Sequence, residues 1–206
     1  MAETRRERIS RRQVDKFAER RARLASAALQ TLAQLGYART SLREIAQNSE
    51  FSHGVLHYYF SGKEELLTEC VRQYEAECVT RYDEIVAAAE SATELRRQFS
   101  AAMAHTLATD APMHRLWYDL RNQSLFEESF RADVLEIDQR REEMIWRVVS
   151  RYAELAGMTL TSSPGVAYAI FDGLFQQALL HQLAGREDAG SELAAIVARI
   201  LDTLTG

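Results

Sequence analysis

Residues 51–67 read FSHGVLHYYFSGKEELL, and between His53 and Lys63 they hold two imidazoles, two phenols and an ammonium group. His53 and His57 are four apart, so on a helix they share a face, a spacing able to chelate zinc. A third ligand would have to come from elsewhere, and neither an HExxH pattern nor a cysteine pair supplies one, so no metal is expected. The stretch also lacks a serine or cysteine nucleophile with an orienting acid, so no catalytic residue is expected. A third chemistry uses more of these side chains. Phenol and ammonium donors on Tyr58, Tyr59 and Lys63 can reach phosphate oxygens, while His53 and His57 lie on or near an exposed face, His57 open to either a base or a phosphate contact. Gly54 would let the backbone come close to a groove.

Such a surface needs a rigid frame. Ser41 followed by Glu44 is a capping box, with Leu42, Ile45 and Ala46 just inside it, which predicts a helix of about two turns. Ser52 can cap a second short helix over residues 52–60, anchored by Val55, Leu56 and Phe60. Upstream, Phe17, Leu24, Ala28, Leu32 and Leu35 recur at helical spacing from residue 13 to 35, and Gly36 suits a left-handed cap. Downstream, Glu64 and Glu65 sit where the dipole of a third helix favours acid, and that helix is expected to run to about residue 89. Two short helices joined by a tight turn and braced by longer ones form a helix-turn-helix, whose second helix enters the major groove.

The chain has 206 residues, nine glycines and two prolines, and it is rich in Ala, Leu, Glu and Arg. Scarce breakers predict an all-α chain. Its net charge of −5 is uneven: residues 1–63 hold twelve Lys and Arg against six Asp and Glu, and the remainder thirteen against twenty-four. A basic first third on an acidic body fits a polyanion-binding head, or a solvated basic tail. Cys70 and Cys78 are two helical turns apart, about 12 Å, too far to bridge, and read as reduced thiols. No signal peptide or membrane span is apparent, so a cytoplasmic location is expected.

The segment GYARTSLREIAQNSEFSHGVLHYYFSGKEELL, within residues 17–70, resembles the DNA-binding head of the TetR family of bacterial transcriptional regulators. The resemblance rests on Gly36-Tyr37, on residues 40–46 (TSLREIA), on Ser52-x-Gly54-x-Leu56, and on Tyr59-Phe60-x-x-Lys63-Glu64-x-Leu66. It implies an all-helical homodimer of about nine helices, a head that binds a palindromic operator, and a body that binds a small molecule. The positions it assigns to DNA contact are Arg43, Ser52, His53, Val55, His57, Tyr58, Tyr59 and Lys63. His57 departs from the tyrosine usual there. Arg5, Arg6, Arg8, Arg11 and Arg12 could add minor-groove or backbone contacts.

The expected division is a flexible basic arm over 1–12, a helix-turn-helix domain over 13–62, and an effector-binding and dimerisation domain over 63–206. Body helices are expected near 92–109, 113–124, 127–156, 163–184 and 191–204. Glu127–Arg131, Glu136–Arg140 and Glu143–Arg147 would pair along one of them. The apolar residues of 163–184 cover more than one stripe, so one face can pack within the chain and the other on a partner. The stripe Leu193, Ile196, Val197, Ile200, Leu201 and Leu204 would complete a four-helix dimer interface. Candidate effector contacts are Met103, Leu107, Trp117, Tyr118, Arg121, Phe126, Phe130, Met144, Val148, Phe171, Phe175 and Gln176, each of which also suits a plain core. Asp119 or Arg121, if buried, would need a partner, and a ligand could be that partner. These features read together as a dimeric repressor released from its operator by a small-molecule effector, with no cofactor. A DNA-binding relative without an effector, an activator, and a helical enzyme carrying such a head are the alternatives; the body shows no converging acid, base and nucleophile for the last.

Overall fold

The structure, a computed structural model, describes residues 5–37, 39–129 and 131–206, with side chains from Val14 onward. The described residues form nine α-helices and a single isolated bridge between Leu160 and Thr205. They are α1 (Arg5–Leu35), α2 (Leu42–Gln47), α3 (His53–Tyr59), α4 (Lys63–Cys78), α5 (Asp83–Ala88), α6 (Ala92–Gln123), α7 (Arg131–Ala156), α8 (Pro164–Leu183) and α9 (Ala189–Thr203).

Local signals set most of these ends. Gly36 takes φ +79°, a left-handed conformation that costs glycine little, and its N–H closes on Leu32 O at 2.8 Å. At α2 both halves of the capping box form: the Glu44 N–H donates to Ser41 Oγ at 3.2 Å, and the Ser41 N–H to Glu44 Oε2 at 2.7 Å. Ser52, Ser91 and Ser163 cap α3, α6 and α8, and Pro164 fills the first turn of α8.

Four expectations give way. α1 starts at Arg5, inside the stretch expected as an arm; that stretch is rich in arginine and glutamate, both good helix formers. The helix expected over 63–89 breaks after Cys78, where the chain turns to bury Tyr82 edge-on against Phe99, 4.9 Å between ring centres. Residues 92–123 form one kinked helix rather than two: Asp110 leaves helical geometry at φ −113°, ψ 15°, which relieves the clash of the Pro112 ring with the preceding turn. Finally, α7 starts at Arg131, so Glu127 lies before it, and Arg131 Nε donates to Ser124 O at 2.9 Å. Arg140 does pair with Glu136, whereas Arg147 reaches Asp83 and Val79 O.

One apolar core runs from head to body. In the head, α1 packs on α4, and Leu24, Leu32, Ile45, Leu56, Phe60 and Leu66 are wholly or almost wholly buried. In the body α6 packs chiefly on α9, and α7 on α8. Leu193, Val197, Leu201 and Leu204 are consumed inside this chain, so the α9 stripe expected at a dimer interface faces inward. The outer face of α8 is different: Val166, Leu180 and Leu183 stand exposed. Both cysteines are buried free thiols. Among the described residues no helix is long and apolar enough to cross a membrane.

Candidate nucleic-acid interface and body cavity

Ser52 Oγ accepts from the Val55 N–H at 3.3 Å and fixes the start of α3. Buried Leu56 and Phe60 then seat the helix on the head, with Val55 half-buried beside them. Because those anchors occupy one face, His53, Gly54, His57 and Tyr58 are turned to the outside. The two imidazoles meet, His57 Nε2 lying 3.1 Å from His53 Nε2, so one ring donates and the other accepts. Among the described residues no group of three or more His, Cys, Asp or Glu is placed to hold a metal ion. Tyr58 is 73% exposed. Tyr59 is half-buried, its ring 4.7 Å from Phe17 and edge-on to Tyr58 at 5.0 Å. Arg43 projects from α2 into solvent.

Lys63 is more constrained than a free phosphate donor. Its Nζ donates to Tyr37 O at 2.8 Å and sits 3.7 Å from the centre of the Tyr37 ring. The ammonium thus ties the start of α4 to the end of α1. The side chains of Arg5, Arg6, Arg8, Arg11 and Arg12 lie outside the described residues.

In the body, α4, α6, α7 and α8 surround a cavity of about 50 Å³. Met103, Met144, Ile145, Phe171 and Phe175 give it apolar walls, and Arg81, His114, Tyr118, Tyr168 and Asp172 bring polar groups to it. The charges beside it are paired. Arg141 grips the carboxylate of Glu75 with two nitrogens, Nε to Oε2 at 2.8 Å, and both side chains are almost wholly buried. Burial alone would lower the pKa of Arg141, but attraction to Glu75 and their hydrogen bonds outweigh it, and the guanidinium stays charged. The same guanidinium lies 4.5 Å over the ring of Trp117. Arg81 pairs with Asp110 at 2.6 Å, at the kink of α6. Arg121 bridges Asp172 and Asp138. Burial, then Asp172, raises the pKa of both Tyr118 and Tyr168, so these phenols remain donors, Tyr118 to Asp172 and Tyr168 to Asp138. Burial followed by Glu75 pushes the Cys78 thiol up to about 11, which suppresses thiolate chemistry.

Residues 24–70 match the profile of the family described as "Bacterial regulatory proteins, tetR family". Over this head the chain matches the TetR family. The HTH-type transcriptional regulator BetI of Burkholderia thailandensis is 30% identical over 113 residues; that match takes in 54% of this chain and 58% of BetI, so the chain spans little more than half the length of the relative. Solved structures share the fold. FadR of Bacillus subtilis, in complex with stearoyl-CoA, superposes with a TM-score of 0.69 at 16% identity, over 86% of this chain and 95% of that one. A regulator of Saccharomonospora viridis in complex with choline gives 0.71 at 17% identity, over 91% and 98%.

In the body, the expected effector contacts divide sharply. Met103, Tyr118, Met144, Phe171 and Phe175 line the cavity. Leu107, Trp117 and Val148 are buried core that does not line it. Arg121 is held by its two aspartates, and Asp119 Oδ2 accepts from the Tyr37 N–H at 2.7 Å, so protein groups supply the partners that a ligand was expected to supply. Phe126 is 85% exposed in the turn after α6, and Gln176 faces outward from α8; neither reaches the cavity. Phe130 lies outside the described residues. Arg81, His114, Arg141, Tyr168 and Asp172 were missed. Their signal, charged and aromatic residues spread over an interhelix turn and three separate helices, converges only in three dimensions.

Head and body meet through α6. His114 and Tyr118 line the cavity, and the next residue after each turns to the head. Arg115 Nη2 donates to Ala33 O at 2.5 Å and Gln34 O at 2.9 Å, and Asp119 holds Tyr37.

Proposed function

We propose that this chain is a dimeric TetR-type transcriptional repressor that binds a palindromic DNA operator and is released by a small molecule held in the body. One observation carries the DNA-binding half: a capped, rigidly seated α3 presents His53, Gly54, His57 and Tyr58 outward instead of folding those rings into the core. In this reading α3 enters the major groove, His53 and His57 meet base edges, and Ser52, Tyr58, Tyr59 and Arg43 steer the phosphate backbone. Val55 and Gly54 permit close approach. Lys63 acts chiefly as the brace of the α1–α4 junction, adding charge at a helix start that favours phosphate.

Reading a palindrome requires two heads about 34 Å apart, hence two chains. The exposed apolar face of α8 supports a partner there, with α9 contributing its half-buried Ile196 and Ile200. Release follows from α6, which touches the cavity with one set of residues and the end of α1 with the next. A ligand shifts the heads only as far as it prefers one setting of α6 over another. The complexes of the two structural relatives, one with stearoyl-CoA and one with choline, support a small-molecule role for bodies of this fold. The charged groups of the cavity, Arg81, Arg141 and Asp172, are paired within the protein, which supports a sensor rather than an enzyme.

The direct test is fluorescence anisotropy with DNA flanking the chain's own gene. Specific binding should weaken steeply with salt, and His53→Ala should change base preference. Equal affinity of wild type for operator and random DNA would sink this reading.

A further inference from the structure

Two buried donors beside the arginines of the body have no hydrogen-bond partner among the described residues, His114 Nδ1 and Trp117 Nε1. They are three residues apart on α6, so they lie on one side of the helix. His114 also lines the cavity, is only 7% exposed, and stacks at 4.4 Å against Phe175, another wall residue.

The tautomer of His114 follows from its neighbour. Nε2 is 3.4 Å from Arg81 Nη1, and a guanidinium can only donate. Nε2 is therefore the acceptor, and in a neutral ring the proton sits on Nδ1. The ring is neutral: burial, then the charges of Arg141 and Arg81, hold its pKa well below the ordinary imidazole value. Nδ1–H is thus a desolvated donor on a ring that lines the cavity, whose other walls are largely apolar; the nitrogen itself is covered, so an occupant reaches it by displacing a neighbouring wall side chain. The acceptors nearby are already engaged: Asp172 with Tyr118 and Arg121, Asp110 with Arg81, Glu75 with Arg141.

We infer that the body cavity takes a small, mostly apolar molecule carrying a carbonyl-type acceptor oxygen, which receives the hydrogen bond of His114 Nδ1–H while the apolar part lies between Met103, Met144, Phe171 and Phe175. A cation is the wrong occupant. The unmet groups are donors, which a cation cannot satisfy, and Arg81 and Arg141 both border the space. Shape sets the scale. The cavity of about 50 Å³ has room for about three water-sized spheres, so the occupant is small, or it gains room by moving the two flexible methionine side chains. This inference rests on the body being an effector chamber and names the chemistry of what that chamber reads.

The test uses full-length protein with ¹⁵N-labelled histidine and three probes of similar size: butanoate, butanamide and tetramethylammonium. Without probe, the ring nitrogens of His114 should show the Nδ1–H tautomer. Butanamide or butanoate should move the Nδ1 signal saturably and tetramethylammonium should leave it in place. Movement by both acceptors identifies a carbonyl oxygen as the requirement, and movement by butanoate alone identifies an oxyanion. His114→Phe, which keeps a ring and removes the donor, should weaken the responsive probe about tenfold by ligand-observed NMR, the loss of one good hydrogen bond. An Nε2–H tautomer, binding of the cation alone, no binding of either acceptor, or unchanged affinity in His114→Phe overturns the inference. If His114→Phe does not fold, the tautomer and probe shifts in wild type decide alone. Operator release is scored separately. Binding through His114 with no effect on DNA keeps the ligand class and removes the effector role. Release by a cation does the reverse.

Discussion

Head and body use polar side chains in opposite ways. In the head they lie outside or at helix ends: Ser41, Glu44 and Ser52 close the starts of short helices, and His53, His57 and Tyr58 are left facing solvent. In the body they are turned inward and paired, Arg141 with Glu75 almost out of reach of water. An exposed polar group costs little to keep and is free to meet a partner. A buried one must find its partner within the fold, so function in the body is marked by the polar atoms left over. The head therefore declares its role by what it displays, the body by what it fails to satisfy.

The largest effect should come from breaking the inward pairing. Glu75→Gln strands the Arg141 charge beneath α7 and should cost about 3–5 kcal/mol, read from urea unfolding. Replacing both partners, Glu75→Leu with Arg141→Met, should recover most of that loss, since well-packed apolar groups often match a buried ion pair. A cost below about 1 kcal/mol for the single change would put this pair in the class of solvated surface bridges and erase the contrast.

The head should show the reverse pattern, function lost with stability kept. Tyr58→Ala and His53→Ala each remove an outward side chain. Each should weaken operator binding by about 1–3 kcal/mol, as expected for a DNA contact, while the unfolding free energy changes by no more than about 0.5 kcal/mol. Anisotropy and urea melts on the same preparations separate the two readouts. A large stability loss without a binding loss would make these rings packing groups.

The junction between the regions gives an intermediate case. Gly36 holds φ +79°, and a Cβ there would come within 3.2 Å of Asp119 Oδ2, the atom that receives the Tyr37 N–H. Gly36→Ala should cost about 1–2 kcal/mol of stability through the left-handed backbone. It should also loosen the hold of α6 on the head, so that any effector probe changes DNA affinity less than in wild type. Unaltered coupling in Gly36→Ala would shift the linkage to Arg115.

Legibility in the sequence follows the same divide. The head's signals are local: Ser41 and Glu44 are three apart, Ser52 precedes its own helix, and Gly36 ends the one before, so adjacent residues set nearly every element. The anchors Leu56 and Phe60 were equally readable, because a two-turn helix has one inward face. The bond from Lys63 to Tyr37 was not, since the two lie 26 residues apart. In the body the helices themselves were visible, but α6 hid its continuity because a proline normally ends a helix, and here Asp110 absorbs the bend. The cavity was half visible. Its apolar walls follow the ordinary pattern of core residues, whereas Arg81, His114 and Arg141 gather from an interhelix turn and two helices. The inward turn of the α9 stripe was also hidden, because a clean stripe shows only that a face is buried, not what buries it.

The smallest effect expected is an acid one in the head. Glu65 Oε2 accepts from the Ser61 N–H and Ser61 Oγ, both at 2.8 Å, and its Oε1 from Arg21 at 2.7 Å. The backbone bond first, then the bond from Arg21 and that from the Ser61 hydroxyl, lower its pKa to about 2. A carboxylate whose pKa is depressed on folding stabilises the native state fully above its unfolded value near 4.3, and that contribution fades as pH falls toward 2. The Glu65 side chain is 39% exposed, so solvent screening limits the contribution to less than about 1 kcal/mol. Glu65→Gln should therefore be less stable than wild type at pH 7, with the difference shrinking between pH 5 and pH 2 in paired urea melts. Other carboxylates titrate alike in both proteins and cancel in that difference. A gap that stays constant down to pH 2 would mean that the shape of this side chain, not its charge, holds the end of α3 to α1 and α4.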